Sequence, residues 1–438
     1  MVTPRFAALL ALTVPLPALL PSPWLVVLVV VVLLAAVAVI DAAAAGALTG
    51  ITLRRRGDTA VWLGQTATVE LTVTNNGSRP VWLRLRDSWV PSAGAGTVEH
   101  RLRLLSGTHE TVTTELAPTR HGDRRAVRVT LRSYGPLGLA YRQRRQGWSE
   151  SVTPPWSLRV LPRFPARRIL PEKLAKLRIF DGAVVTRGRG QGTEFDVLRE
   201  YVIGDDVRSI DWRASARTHD VMVRTWRPER DRRVICVLDT GRTSAARLGD
   251  EPRLDAAIDA ALLLSVLASR ADDHVDLIAL DSEVRARVEG TGNRSKLPRI
   301  INAMAALEPA LVETDFTQLA GDLLRRGHKR ALVVIFTAMD AAPLVEGLLA
   351  MLPRLTTRHR VVVASVRDPE TAELANLPEE ATANDVHLAA AAELALNERA
   401  RIRAVLTQQG AIVIDETRAQ FASKVADAYL MLKAAGRL

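Results

Sequence analysis

The sequence is poor in the residues on which several classes of protein depend. It has one cysteine, Cys236, so an intramolecular disulfide and a Cys-x-x-Cys pair are both excluded. Since Cys236 lies within an apolar run, we interpret it as a buried core thiol. Aromatic residues are only 4% of the chain and are not interleaved with basic residues, so no nucleic acid is expected as a partner in spite of a net charge of +11.

Motifs of the common catalytic classes are also missing. There is no Gly-x-Ser-x-Gly nucleophile elbow and no His-Glu-x-x-His helix, and the eight histidines are scattered along the chain. The sequence therefore identifies no small-molecule substrate, and an enzyme is the less favoured interpretation.

What the sequence does have is a long apolar stretch near its start, from Phe6 to Ile40, without a charged residue. Prolines at 21 and 23 divide it into the segments 6–20 and 24–40. The second segment is close to the roughly 17–25 residues that a spanning helix needs, and the first is shorter. We predict a transmembrane hairpin, and a cleaved secretory signal is the alternative.

The charges that flank the apolar stretch predict its orientation. Arg5 precedes it and three arginines at 54–56 follow it, whereas the turn in its middle carries no charge. Because positive flanks favour the cytoplasmic side, we predict a cell-membrane protein with two helices and with the bulk of the chain in the cytoplasm. A cleaved signal would instead place the chain outside and favour envelope sensing.

Short runs that alternate polar and apolar residues follow the apolar stretch. The first of them ends at Asn75-Asn76-Gly77, which is a strong turn signal. Repeated runs of this kind without helices between them indicate an antiparallel β-sandwich. The predicted strands are 68–74, 81–86, 98–104, 110–116 and 126–131.

From about residue 232 the pattern changes to strands that alternate with helices rich in alanine and leucine. Such alternation indicates a parallel sheet with helices on both faces. The order of elements is similar to the von Willebrand factor type A fold, a doubly wound sheet whose ligands bind beyond the carboxyl ends of the strands. The predicted strands are 234–238, 275–280, 331–336, 361–366 and 411–414.

Between these two regions lies a segment dense in acids, arginines and aromatics. Residues 192–217 read GTEFDVLREYVIGDDVRSIDWRASAR, and VMVRTW follows at 221–226. This segment resembles the signature of the bacterial domain of unknown function 58 family. The resemblance implies a membrane protein with a von Willebrand factor type A-like domain and a MoxR-type AAA+ ATPase as its partner.

Together these patterns predict a multidomain protein. We expect a transmembrane helical hairpin at 1–48, an antiparallel β-sandwich at 49–161, a linker with the signature segment at 162–231, and a doubly wound, von Willebrand factor type A-like α/β domain at 232–438.

In the type A fold, the loop after the first strand usually holds an Asp-x-Ser-x-Ser motif that binds a metal ion. Asp239 and Thr243 match this motif, and Gly241 replaces one of its hydroxyl residues. Carboxylate and hydroxyl oxygens are the ligands that Mg²⁺ prefers. The alternative is that Asp239 only caps the turn that follows it.

The rest of the type A metal site matches less well. Thr314 corresponds to the threonine of its second element. The aspartate of the third element aligns with Ala338, although Asp340 lies two residues further on. Asp239, Thr243 and Thr314 therefore form a degenerate metal site, with Mg²⁺ as the possible cofactor.

The signature segment allows two interpretations of its mixed charges. They form a clasp of fixed salt bridges, or they frame a docking surface whose anchors are Tyr201, Trp212 and Arg213, since Tyr, Trp and Arg are frequent at binding hot spots. The candidate binding residues are Glu194, Arg199, Tyr201, Asp205, Asp206, Arg208, Asp211, Trp212, Arg213 and Arg217.

These observations favour a membrane-anchored protein-binding or assembly factor, an adaptor or partner of a MoxR-type AAA+ ATPase. The alternative is a metal-dependent hydrolase that uses the carboxylates of Asp205, Asp206 and Asp211, with His219 as a further candidate.

Overall fold

The structure is a computed structural model of the chain. It divides into two compact units, residues 1–163 and 164–438. The first unit combines the apolar N-terminal segment with β-strands, and the second alternates strands and helices. The residues described are 1–15, 23–143, 153–187, 194–203, 205–218, 220–227, 232–289, 293–325, 330–339, 347–377 and 381–438.

Two helices occupy the apolar segment. Helix α1 (Pro4–Leu12) has nine residues and is about 14 Å long, whereas α2 (Pro23–Ala44) has 22 residues and is about 33 Å long, close to the roughly 30 Å of a bilayer core. Within the described residues, Pro23–Gly50 is the one candidate membrane span, and it is largely exposed. In the described part of the first predicted span, residues 6–15, the helix ends at Leu12 and a turn follows it, since Pro15 cannot continue the helix. Residues 16–20 of that span lie outside the described residues.

In the described residues of the first unit, nine strands follow α2 and form two packed sheets. The first sheet has the order β1-β3-β6, and the second has the order β2-β9-β7-β4-β5, with β8 paired to β7. Apolar residues at alternate positions, such as Leu71 of one sheet and Leu85 of the other, form a shared core, as a sandwich requires. The strands are β1 (Ile51–Gly57), β2 (Ala60–Trp62), β3 (Ala67–Asn75), β4 (Val81–Trp89), β5 (Glu99–Leu104), β6 (His109–Leu116), β7 (Gly122–Tyr134), β8 (Tyr141–Gln143) and β9 (Ser157–Leu161).

The turn between β7 and β8, the corner loop (residues 135–140), encloses the carboxylate of Asp41 in the last turn of α2. Asp41 is 1% exposed. It accepts hydrogen bonds from the backbone N–H groups of Leu137 (2.8 Å), Leu139 (2.8 Å) and Ala140 (2.9 Å). Residue 135 is glycine because a Cβ there would collide with the Asp41 carboxylate. These contacts join the end of the apolar helix to the sandwich.

The residues before α1 bind the same corner loop. The backbone N–H of Thr3 donates to the carbonyl oxygen of Leu139 at 2.9 Å, and its hydroxyl donates to that of Gly138 at 2.7 Å. Val2 forms an isolated β-bridge with Ala140. The start of α1 and the end of α2 therefore lie beside each other on one loop.

The second unit contains a six-stranded sheet with the order β16-β15-β12-β17-β18-β19, parallel except for the edge strand β16. A hairpin of β10 and β11 precedes it, and β13 and β14 form a small two-residue pair. The strands are β10 (Glu194–Glu200), β11 (Met222–Arg227), β12 (Arg233–Asp239), β13 (Arg247–Leu248), β14 (Glu251–Pro252), β15 (His274–Leu280), β16 (Val284–Val288), β17 (Leu332–Phe336), β18 (Arg360–Arg367) and β19 (Ile412–Thr417).

Helices cover both faces of this sheet. On β12, Cys236 packs with α3, α5, α6 and α11, whereas the alternate residues Ile235 and Val237 pack with α7, α8 and α10. Cys236 is the buried thiol expected, and burial raises its pKa to about 12. The helices are α3 (Leu170–Arg187), α4 (Trp212–Thr218), α5 (Arg253–Arg270), α6 (Asn293–Ala305), α7 (Phe316–Arg325), α8 (Leu349–Arg358), α9 (Pro369–Leu374), α10 (Ala383–Gln408) and α11 (Arg418–Ala434).

A half-buried acid ties the start of this unit to α5. Asp259 accepts a hydrogen bond from the backbone N–H of Ala166 at 3.1 Å. Burial raises the pKa of Asp259 to about 6. A carboxyl whose pKa is higher in the folded than in the unfolded state destabilises the fold once it ionises, so its cost grows as pH rises through about 4 to 6 and is complete above that range.

We expect Asp41→Ala to lower the free energy of unfolding of the first unit by about 3 kcal/mol, because three buried N–H groups lose their acceptor. The measurement is denaturant unfolding in detergent micelles, followed by tryptophan fluorescence. Asp58→Ala is the control, since that carboxylate accepts a backbone hydrogen bond from Thr68 in an exposed position. Equal stability of the Asp41 and Asp58 variants would contradict the role given to Asp41.

We expect Asp259→Asn to stabilise the protein at pH 8 by about 1–2 kcal/mol, because the amide keeps the acceptor for Ala166 and removes the half-buried charge. The gain should shrink as pH falls towards 4, where the native carboxyl is protonated. Thermal unfolding across this pH range measures it, with Glu393→Gln on the exposed face of α10 as control. A gain that does not change with pH would refute the explanation.

Candidate functional site

The signature segment forms an antiparallel hairpin whose long connection carries most of the predicted residues. Strands β10 and β11 pair from Glu194 opposite Arg227 to Glu200 opposite Met222, with a bulge after Phe195. The connection returns to the hairpin where the N–H of Asp211 donates to the carbonyl oxygen of Met222 at 2.8 Å. We call this element the signature hairpin (residues 194–227).

Asp205 binds an arginine of the neighbouring strand. Its two oxygens accept hydrogen bonds from Arg199 at 2.6 and 2.7 Å, and one of them also accepts the N–H of Val202 at 3.0 Å. The Asp205 side chain is 17% exposed. This planar, two-bond geometry is the strong form of an arginine–carboxylate pair, and it fixes the start of the connection.

Asp211 caps α4 and holds an arginine of β11. One oxygen accepts the N–H groups of Arg213 (3.0 Å) and Ala214 (3.1 Å), and the other accepts Arg224 Nε at 2.8 Å. The N–H of Ala214 and then the Arg224 guanidinium hold the pKa of Asp211 below its usual range. An acid at this position also interacts favourably with the helix dipole.

The third acid of the segment is a local cap as well, since Asp206 accepts the N–H of Arg208 at 3.0 Å. Each of the three carboxylates thus has its own partner, and they do not converge on one point. Across the described ranges no group of three or more His, Cys, Asp or Glu residues could hold a metal ion. His219, the further candidate for a hydrolase, lies outside the described residues, as does the side chain of Glu194.

The signature hairpin exposes apolar side chains around its two ion pairs, Arg199–Asp205 and Asp211–Arg224, which we call the ionic frame. Ile203 is 97% exposed and Trp212 is 68% exposed. Val202, Val207 and Val221 are exposed too. The predicted residues Arg208, Arg213 and Arg217 are exposed, whereas Tyr201 is half-buried. Of the predicted anchors, Trp212 and Arg213 are therefore the accessible ones.

The second candidate site lies at the carboxyl end of β12, where Asp239 is 1% exposed. One Asp239 oxygen accepts the hydroxyl of Thr314 at 2.5 Å and the N–H of Gly241 at 2.8 Å. The other accepts the hydroxyl of Thr337 at 2.6 Å and, more weakly, that of Thr243 at 3.4 Å. The structure thus brings together the three predicted residues and one that was not predicted.

Thr337 lies in the stretch that aligns with the third element of the type A metal site, one residue before the aligned position. It directly follows β17, whereas the aligned Ala338 is 2% exposed and offers no side-chain ligand. Asp340 lies outside the described residues. Register along the parallel strands, with Leu238 opposite Phe336, is what brings Thr337 next to Asp239. A search for any oxygen-bearing side chain one residue after β17 would have found it.

The loop after β12 requires glycine at position 241, where the usual motif has a hydroxyl residue. A Cβ on Gly241 would collide with the Thr314 hydroxyl and lie 2.9 Å from the carbonyl oxygen of Val312. A serine at 241 could not be accommodated unless the loop that carries Thr314 moved. Gly241 is therefore part of how Asp239 and Thr314 approach each other.

The oxygens around Asp239 are of the class that Mg²⁺ takes, but only one of them belongs to a charged group. Proteins usually hold Mg²⁺ through one or two carboxylates plus water or phosphate oxygens. Asp281, at the end of the adjacent strand β15, is bound instead to Arg285 at 2.6 Å and to the hydroxyl of Thr240 at 3.1 Å. Burial opposes its ionisation, but these bonds outweigh it and hold the pKa of Asp281 below its usual range. The carboxylate and hydroxyl oxygens around Asp239 thus fit a metal ion only together with a further anionic ligand.

Comparison with known sequences gives a family match and uncharacterised relatives. Residues 197–411 match the sequence model of a family described as "Protein of unknown function DUF58". Uncharacterized proteins of Mycobacterium tuberculosis and Mycobacterium bovis are 27% identical over 187 residues, which are 42% of this chain and 58% of each relative. The chain thus spans less than two thirds of the length of the relatives it matches.

Comparison with solved structures gives partial likenesses only. The CARDB domain of a Pyrococcus furiosus protein is 16% identical and covers 25% of this chain and 87% of that chain, with a TM-score of 0.19. A fragment of alpha-2-macroglobulin from Escherichia coli is 17% identical and covers 28% of this chain and 17% of that chain, with a TM-score of 0.22. Scores this low support no functional argument.

We expect Asp239→Ala to destabilise the second unit by about 2–4 kcal/mol, since it leaves buried hydroxyl and N–H donors without their acceptor. Thr337→Val should cost about 1 kcal/mol, and Thr243→Val, which loses only a 3.4 Å contact, serves as the near-neutral control. Thermal unfolding with and without Mg²⁺ measures both effects. Wild-type stability of Asp239→Ala would disprove this role, and stabilisation by Mg²⁺ of wild type but not of Asp239→Ala would add a metal to the site.

Proposed function

We propose that this chain, whose residues 197–411 match the DUF58 family model, is a membrane-anchored protein-binding or assembly factor that docks its partner on the signature hairpin. One observation carries the proposal: a strongly exposed tryptophan and isoleucine sit on an element whose acids are bound internally. Trp212 is 68% exposed and Ile203 is 97% exposed.

The ionic frame explains why such side chains can stay exposed and still be ordered. The Arg199–Asp205 and Asp211–Arg224 pairs hold both ends of the connection, so little conformational entropy is lost when a partner covers it. Exposed ion pairs contribute only about 0–1 kcal/mol each to stability, so their main effect here is geometric. Burial of a tryptophan and flanking arginines is the usual composition of a binding hot spot.

The contacts of the first unit support a hairpin anchor with both ends on one side of the membrane. Thr3, before α1, and Asp41, at the end of α2, bind the same corner loop. If the chain enters and leaves the membrane beside the same loop, both ends of the anchor lie on one side of the membrane. With arginines at 5 and 54–56 as flanks, the side proposed is the cytoplasmic one.

The second unit is proposed to be a von Willebrand factor type A-like domain. Its order of strands with a single antiparallel edge strand, and an aspartate and threonines at the carboxyl end of β12, support this assignment. Asp239, Thr243, Thr314 and Thr337 would hold Mg²⁺ if it binds. The ion would supply a Lewis-acidic position for an acidic group of the partner.

The partner proposed is a MoxR-type AAA+ ATPase, and the family resemblance is what supports this choice. The hydrolase alternative has less support, because Asp205, Asp206 and Asp211 are bound to separate groups and do not form a shared site.

The test is affinity purification of the tagged full-length chain from mildly solubilised native membranes, followed by mass spectrometry. We expect Trp212→Ala and Arg213→Ala each to reduce the free energy of binding to the specific partner by about 2 kcal/mol, or about 30-fold in Kd. Met431→Ala is the matched control, because Met431 is 67% exposed on α11 and Trp212 is 68% exposed. Undiminished binding by both folded variants would refute docking on the signature hairpin, and a specific partner that is not an AAA+ ATPase would refute the identity proposed for it.

A further inference from the structure

A recess of about 650 Å³ opens at the end of the first unit where α1 begins and α2 ends. Thr3 and Arg5, at the start of α1, line one side of it, and Gly135 and Gly138 of the corner loop line another. Because the corner loop also holds Asp41 of α2, the recess lies at the level where the chain leaves the apolar helix. That level is the headgroup region of any bilayer that α2 spans.

The remaining wall is the outer face of three neighbouring strands, β5, β4 and β7. Strand register places side chains of one face in rows across a sheet, and the row nearest the corner loop consists of Arg103, Trp82 and Tyr134. Six arginines share this outer face, which we call the arginine face. They are Arg84, Arg86, Arg101, Arg103, Arg128 and Arg132.

Little negative charge offsets the arginine face. Glu99 lies 2.6 Å from Arg84, which it neutralises. In the part of the chain that the structure describes, Arg5 and Arg101 have no ion-pair partner, and Arg103 only lies over the ring of Trp82, 5.6 Å from its centroid. Three guanidinium groups therefore line the recess without a counter-ion.

We propose that this recess binds the phosphate group of an anionic phospholipid of the phosphatidylglycerol type. A guanidinium group can donate two parallel hydrogen bonds to two oxygens of one phosphate, whereas a lysine ammonium group acts as a single point charge. Tryptophan and tyrosine are the aromatic residues that favour the membrane interface, and Leu137 of the corner loop, 56% exposed, offers apolar contact to the glycerol and acyl region. A nucleic acid presents the same phosphates, but the position of the recess beside the apolar helices favours the lipid.

Lipid binding here would be separate from partner docking, because the signature hairpin contributes no residue to the recess. The bound phosphate would add a contact between three neighbouring elements, namely the start of α1, the corner loop and the arginine face. Such a lipid would stabilise the junction between anchor and sandwich, since a ligand that binds only the folded state adds to its stability.

The test is titration of the delipidated full-length protein in neutral detergent with phosphatidylglycerol and with phosphatidylcholine, followed by native mass spectrometry. We expect the variant Arg101→Gln/Arg103→Gln to bind phosphatidylglycerol at least about tenfold more weakly than wild type. Arg5→Gln, an exposed single change, should act in the same direction. The matched control is Arg120→Gln/Arg125→Gln, which removes the same charge from exposed positions away from the recess and should bind as wild type does.

Four outcomes would overturn the proposal. They are equal affinity of the folded recess variants and wild type, equal affinity of wild type for the two lipids, displacement of the lipid by millimolar inorganic phosphate, and displacement by short single-stranded DNA. Displacement by phosphate would assign the recess to a free anion, and displacement by DNA would assign it to a nucleic acid. A defect in lipid binding with an unchanged partner in affinity purification would show that the two surfaces act independently.

Discussion

The first unit depends on how one carboxylate at the end of an apolar helix is satisfied. An acid in that position is costly unless hydrogen-bond donors surround it, and the corner loop supplies three backbone N–H groups to Asp41. To do so the loop must approach within contact distance, which only glycine at 135 permits. The same loop then binds Thr3 and borders the arginine face. The end of the apolar helix, the sandwich and the basic recess therefore all depend on the corner loop.

The same use of acids recurs across the described residues, where each of these carboxylates is bound to its own partner. Asp205 and Asp211 hold the signature hairpin, and Asp239 gathers hydroxyls from three segments of the α/β sheet. In each case the carboxylate is an acceptor that fixes a loop on a rigid element. Loops held in this way are suited to present a surface to another molecule, which is the function proposed for them.

Periodicity located the long elements well, because burial imposes it directly. The strand around Val234–Leu238 is buried, the helix that starts near Leu254 is largely buried, and both were expected within a few residues of their bounds. The edge strand β16 was missed for the converse reason: it carries arginines on an exposed edge, and its polar pattern resembles a loop. Asp41 and Thr337 were missed because their roles depend on residues about 96–98 positions away, which no local pattern reveals.

The pairing of Thr3 with the corner loop also imposes an order on synthesis. Thr3 and the carbonyl group of Gly138 that it binds are 135 residues apart, so the contact cannot form until most of the sandwich has left the ribosome. With the membrane anchor proposed above, both apolar helices reach the membrane well before that time. The segment before α1 then remains at the bilayer surface without its partner, and its binding to the finished corner loop is a late step of biogenesis.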